Sequence, residues 1–181
     1  MIRIFAASFC LAFAAAPAFA EAPLSDDQVK RFVATLAPVE EFGDKLDHDG
    51  KLDDLDKKTP AFGEEFRPYK NAIAALKRDH PADYAALGAL LKPHGFSQDQ
   101  WAATGDRVML AYMALRMEQE NPDYEKQMAG MDKSMLNQMP PQMRAQIEGA
   151  LAMVETVKKA PAADKAAVKP HAKAIEKATE N

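Results

Sequence analysis

Apolar residues recur every three to four positions over most of the chain, and no stretch beyond the first twenty residues alternates with period two. That spacing is the signature of helices with one buried face. Val29, Phe32, Val33, Leu36, Val39 and Phe42 share the face of a first helix, which contains Pro38. Leu24-Ser25-Asp26-Asp27-Gln28-Val29 marks its start: Ser25 is placed to accept from the Gln28 amide, the Gln28 side chain to reach back, and Leu24 to pack on Val29. Thr59-Pro60 offers a second start, and Pro68 another, with Tyr69, Ile73 and Leu76 inward. His80-Pro81 breaks that helix and opens a short one carrying Tyr84, Leu87, Leu90 and Leu91, which stops at Pro93 and Gly95.

Phe96-Ser97-Gln98-Asp99-Gln100-Trp101 repeats the capping signature, with Phe96 and Trp101 as its hydrophobic pair. The long helix it opens, to about Glu120, presents Trp101, Val108, Tyr112 and Leu115 and is the expected centre of the core. Asn121-Pro122 and Pro140-Pro141 punctuate two further helices. The residues after Val29 do not match those after Trp101, so the two capping boxes read as independent helix starts rather than a tandem repeat. The fold class is therefore all-α, an irregular bundle of about five to seven helices.

The first twenty residues change the picture of where this bundle resides. MIRIFAASFCLAFAAAPAFA has one Arg ahead of an apolar run and ends in the small-residue pattern Ala18-Phe19-Ala20, the layout of a cleaved secretory signal. Pro17 and Glu21 close the run too early for a membrane span. The expected organisation is a signal at 1–20, one helical domain at 21–160, and a Lys/Ala-rich tail at 161–181, frayed or disordered because large apolar residues are scarce there. The expected address is periplasmic or secreted, with no stable membrane anchor after cleavage. Cys10 is the only cysteine and lies in the signal, so the mature chain has no disulfide, thiolate nucleophile or cysteine ligand.

Charge is uneven. Residues 21–66 hold 13 acids against 6 bases, whereas 158–181 hold 6 lysines against 3 acids. A formal charge of −4 without a basic stripe argues against nucleic acid as a partner. The acidic stretch Asp44-Lys45-Leu46-Asp47-His48-Asp49-Gly50-Lys51-Leu52-Asp53-Asp54-Leu55-Asp56 resembles a calcium loop. With Gly50 at the sixth loop position, Asp47, Asp49, Asp53 and Asp56 fall where oxygen ligands belong. Lys45 occupies the position of the first carboxylate, and a solvated, Gly-turned loop is the competing reading.

Nine of the ten methionines lie between Met109 and Met153. Met109, Met113 and Met117 are spaced by four, as are Met131, Met135, Met139 and Met143, with Met128 beside them. Such stripes serve core packing, a flexible apolar surface that accepts polypeptide partners, or a soft thioether site for Cu(I). Catalytic constellations are otherwise missing from the sequence. His48, His80, His94 and His171 show no zinc spacing, and no phosphate loop, nucleophile elbow or haem motif occurs. Glu40-Glu41 and Glu64-Glu65 are adjacent pairs whose side chains diverge on a helix.

The opening LSDDQVKRFVATLAPVEEFGDKL, the central HGFSQDQWAATGDRVMLAYMAL and the NPDYEKQMAG…PPQMRAQIEGAL section resemble small secreted proteobacterial all-helical proteins, a family to which no activity is attached. The LSDDQ and FSQDQ boxes are also similar to the Leu-Thr-x-x-Gln boxes of the Spy/CpxP periplasmic chaperones, with Ser25 and Ser97 in place of Thr and Phe96 in place of one Leu. The methionine run, on helices broken at Asn121-Pro122 and Pro140-Pro141, leads to the expectation of a non-enzymatic protein that binds another polypeptide, in keeping with that likeness. The expected contact residues are Met128, Met131, Met135, Met139 and Met143, with no cofactor. The alternative is a metal-binding protein, holding Cu(I) through methionines or Ca²⁺ through Asp47, Asp49, Asp53 and Asp56.

Overall fold

The computed structural model describes residues 22–51, 66–120 and 139–179. Every regular element among them is helical: α1 (Asp26–His48), α2 (Pro68–Asp79), α3 (Pro81–Leu91), α4 (Gln98–Glu120), α5 (Pro141–Lys158), α6 (Ala162–Val168) and α7 (Ala172–Thr179). Two single 3₁₀ turns, Lys92–His94 and Lys169–His171, come directly after α3 and α6. The all-α bundle read from the apolar spacing is the fold observed.

Helix α4 is the axis around which α1, α2, α3, α5 and α6 pack. Trp101, Val108, Tyr112 and Leu115 are all buried, joined by Ala102 and Ala111. Around Trp101 three aromatic rings from three helices meet. Phe32 and Tyr69 lie edge to face at 5.8 Å, Tyr69 and Trp101 at 5.2 Å, and Phe32 and Trp101 are tilted at 5.7 Å. Trp101 Nε1 donates to Thr35 Oγ1 at 2.7 Å, and that hydroxyl donates to the Phe32 carbonyl at 2.6 Å, so the indole N–H is satisfied inside the core. Gly105 makes the cluster possible, because a Cβ there would stand 2.9 Å from the Tyr69 ring and 3.0 Å from Phe32.

Both capping signatures produce helix starts. At α4 the exchange is complete: Gln100 N–H donates to Ser97 Oγ at 3.3 Å, and Ser97 N–H donates to Gln100 Oε1 at 3.1 Å. At α1 only half of the expected exchange forms. Gln28 N–H donates to Ser25 Oγ at 3.1 Å, but the Gln28 side chain leaves the cap and donates to Thr104 Oγ1 of α4 at 2.9 Å. A buried hydroxyl on the neighbouring helix competes successfully for the amide that local sequence assigns to the cap. The start at Thr59-Pro60 lies outside the described residues, as does the helix after Asn121-Pro122.

The segment expected to be frayed helix or disorder is helical over most of its described length. Residues 162–179 form α6, a 3₁₀ turn and α7, and they pack on α1 and α4. Val168 and Ile175, seven positions apart, are fully buried. Burying each contributes roughly 1.5–3 kcal/mol. Two large apolar residues in twenty are too few to show as a local period, so the segment reads as polar. Its stability comes from the groove that receives it.

The same segment supplies the one fully buried carboxylate among the described residues. Asp164 Oδ1 accepts the Leu24 amide at 2.9 Å, and both of its oxygens accept from the Arg107 guanidinium at 2.7 and 2.9 Å. One side chain thus ties the residue before the α1 cap, the middle of α4 and the first turn of α6. Close by, His171 Nε2 lies 2.8 Å from Asp26 Oδ1, joining the second 3₁₀ turn to the start of α1. The first 3₁₀ turn also meets α1, through Arg31, which donates to the His94 carbonyl at 3.1 Å and stacks 5.0 Å over Phe96. The sequence Lys-Pro-His occurs at both turns. In each, proline has no amide to offer the helical ladder, which favours ending the α-helix in this tighter turn.

Candidate partner-binding surface

The methionines fall into distinct environments. On α4, Leu110, Met113, Ala114 and Met117 form one face at the i, i+3, i+4, i+7 spacing. Opposite lie Met153 and Val157 of α5, with Ala160 just past its end. Ala114, Val157 and Ala160 are buried, and Leu110, Met113, Met117 and Met153 pack half-buried around them. This seam is separate from the main core, which Met109 joins instead.

Away from the seam, α5 has few described contacts. It begins at Pro141 with no side-chain cap, and α4 is its chief described partner. Met143, in its first turn, is 51% exposed and is the most exposed large hydrophobic side chain among the described residues. Ile147, Leu151 and Val154 continue its stripe, half-buried, and join neither cluster of described residues. Met139 is half-buried just before the helix, its carbonyl accepting from Arg144 at 3.4 Å. Of the five methionines expected to contact a partner, Met139 and Met143 are therefore placed at one end of α5. Met128, Met131 and Met135 lie outside the described residues.

The acidic loop begins as the end of a helix. Asp47 sits exposed in the last turn of α1, and Asp49 is the residue after it. Gly50 N–H donates to the Asp47 carbonyl at 2.8 Å and Lys51 N–H to the Leu46 carbonyl at 2.9 Å, with Gly50 left-handed at φ 68°. That pair of bonds is a Schellman terminator, in which glycine occupies the position that penalises any Cβ. The glycine that resembled the pivot of a calcium loop is thus a helix stop. Lys51 Nζ then lies 3.3 Å from Asp49 and 3.0 Å from Asp83 of α3. The Asp83 bond and then that of Asp49 raise the Lys51 pKa above its ordinary value. Asp49 thus faces an ammonium. Asp53 and Asp56 lie outside the described residues. Among the described residues no group of three or more His, Cys, Asp or Glu side chains is gathered to hold a metal.

Two further buried polar groups give little sign of themselves in the sequence. Asp106, on α4, caps α2 from the side: its Oδ1 accepts the Tyr69 amide at 2.8 Å, where Arg67 at the helix start provides no side-chain cap. Oδ2 is buried without a partner. Burial pushes the Asp106 carboxyl up to about 6, against the opposing pull of the Tyr69 and Lys70 amides and the charges of Lys70 and Arg67. The Tyr69 phenol is pushed up to about 12, by burial and then by Asp106. His80 Nε2, at the α2–α3 junction, is likewise buried without a hydrogen-bond partner. A lone acid inside Ala-Thr-Gly-Asp-Arg-Val carries little local signal of such a role. Its position at i+5 from Trp101 falls off the apolar face of that helix, so the spacing gives no sign of its burial.

No family model, curated protein or solved structure matches this chain.

Proposed function

We propose that this is an exported, non-enzymatic protein that binds apolar segments of other polypeptides, in the manner of a periplasmic chaperone, through the outer face of α5. The observation that carries the reading is Met143, half exposed in the first turn of a helix whose described apolar contacts gather toward its other end. Met139 flanks it, and Ile147 and Leu151 extend the stripe. Unbranched thioether side chains adapt their shape to varied apolar partners at low cost. A binder that accepts diverse clients needs such a surface carried on a packed scaffold, which α4 and its surrounding helices supply.

The test is aggregation of a reduced model client followed by light scattering, with and without the mature chain, alongside an apolar reporter dye. The expected result is delayed aggregation and dye binding, both diminished by Met143→Gln combined with Ile147→Gln. Normal client aggregation together with no dye binding would overturn the reading.

A further inference from the structure

The α4–α5 seam carries a second use of the methionines, distinct from the outer face of α5 and independent of client binding. Met113 and Met117 stand one turn apart on α4, and Met153 of α5 packs against the same buried cluster. The three half-buried side chains pack, together with Leu110, against Ala114, Val157 and Ala160. Three thioethers from two helices at the edge of one buried apolar cluster are the donor set that suits a soft monovalent d¹⁰ ion. Hard cations find nothing there, because no gathered set of carboxylates or imidazoles exists among the described residues. We propose that Met113, Met117 and Met153 form a thioether site for Cu(I), with Ag(I) as its chemical equivalent.

The chemistry is coordination alone. Each neutral sulfur donates a lone pair, no bond breaks, the ion stays monovalent, and no proton is released. Affinity should therefore be flat between about pH 5 and 8, unlike a site built on thiolate, imidazole or carboxylate ligands. Half-burial leaves the sulfurs reachable, and a clamp joining α4 to α5 would hold the two helices together more firmly.

The test is anaerobic titration of the mature protein with Cu(I) against a chromophoric chelator, repeated at several pH values, with Ag(I) in a parallel thermal melt. The expected result is one equivalent bound with pH-independent affinity. Met153→Leu, which conserves volume and apolar character, should weaken it by roughly tenfold or more, the scale on which even a supporting residue affects metal affinity. Circular dichroism checks that the variant keeps its helices, and Met117→Leu provides a second reading should it not. Met128→Leu/Met131→Leu/Met135→Leu should leave the step intact. Absence of competition with the chelator, or a Cu(I) step lost in that triple variant and retained in Met153→Leu, would overturn the proposal.

Discussion

At the scale of single residues, Asp106 has a measurable signature. Its carboxyl is raised from 3.8 to about 6 in the folded protein, so the native state holds the proton more tightly than the unfolded chain. Its contribution to stability is therefore fully present below about pH 4 and is lost as pH rises through about 6. Denaturant midpoints for wild type and Asp106→Asn, compared between pH 4 and 7, should converge at the acid end. The wild type should fall further as pH rises, and parallel curves would refute the assignment. Gly105 gives a steric counterpart. Gly105→Ala drives a methyl into the Tyr69 and Phe32 rings, and a loss of roughly 1–3 kcal/mol is expected by denaturant titration. Neither role was legible locally. Trp101 could be read as core from its spacing, but the groups that Gly105 and Asp106 touch come from residues 32, 69 and 70, and only packing brings them together.

At the scale of elements, the helices divide by what holds them. Proline at the first turn of α2, α3 and α5, the reciprocal cap of α4 and the stop at Gly95 are written in a few adjacent residues and were readable, whereas Gly50 read as part of an acidic loop and not as the stop of α1. Helices α6 and α7 were not readable, because they are stabilised from outside. Asp164→Ala would leave Arg107 facing a lost partner and the Leu24 amide unsatisfied. A cost of about 1–3 kcal/mol is expected from the unsatisfied buried donor, against a small effect for Lys173→Ala on the exposed side of α7. Deletion of residues 161–181 should abolish the cooperative thermal transition, since it uncovers the groove filled by Val168 and Ile175. A truncated chain that melts like the full one would restore the reading of this segment as a dispensable tail.

At the scale of the whole molecule, among the described residues, α1–α4, α6 and α7 share one core and α5 packs against α4 along a separate seam. Under mild peroxide, read by peptide mass spectrometry, Met143 should oxidise first, Met113, Met117 and Met153 later, since oxidation tracks exposure. Uniform rates would remove the distinction between outer face and seam. The sequence by itself determined the helical class, the positions of most described helix ends and the central place of α4, because apolar period, proline and capping residues act over three to seven neighbours. Only the tertiary structure decided that Gln28 serves α4 rather than its own cap and that Asp164 joins the two ends of the chain. It alone also turned Met113 and Met117 toward the α5 seam, Met109 into the main core, and left Met143 half exposed. Each of those outcomes depends on which surface is nearest after folding, and residues 140 positions apart carry no mark of it in their local pattern.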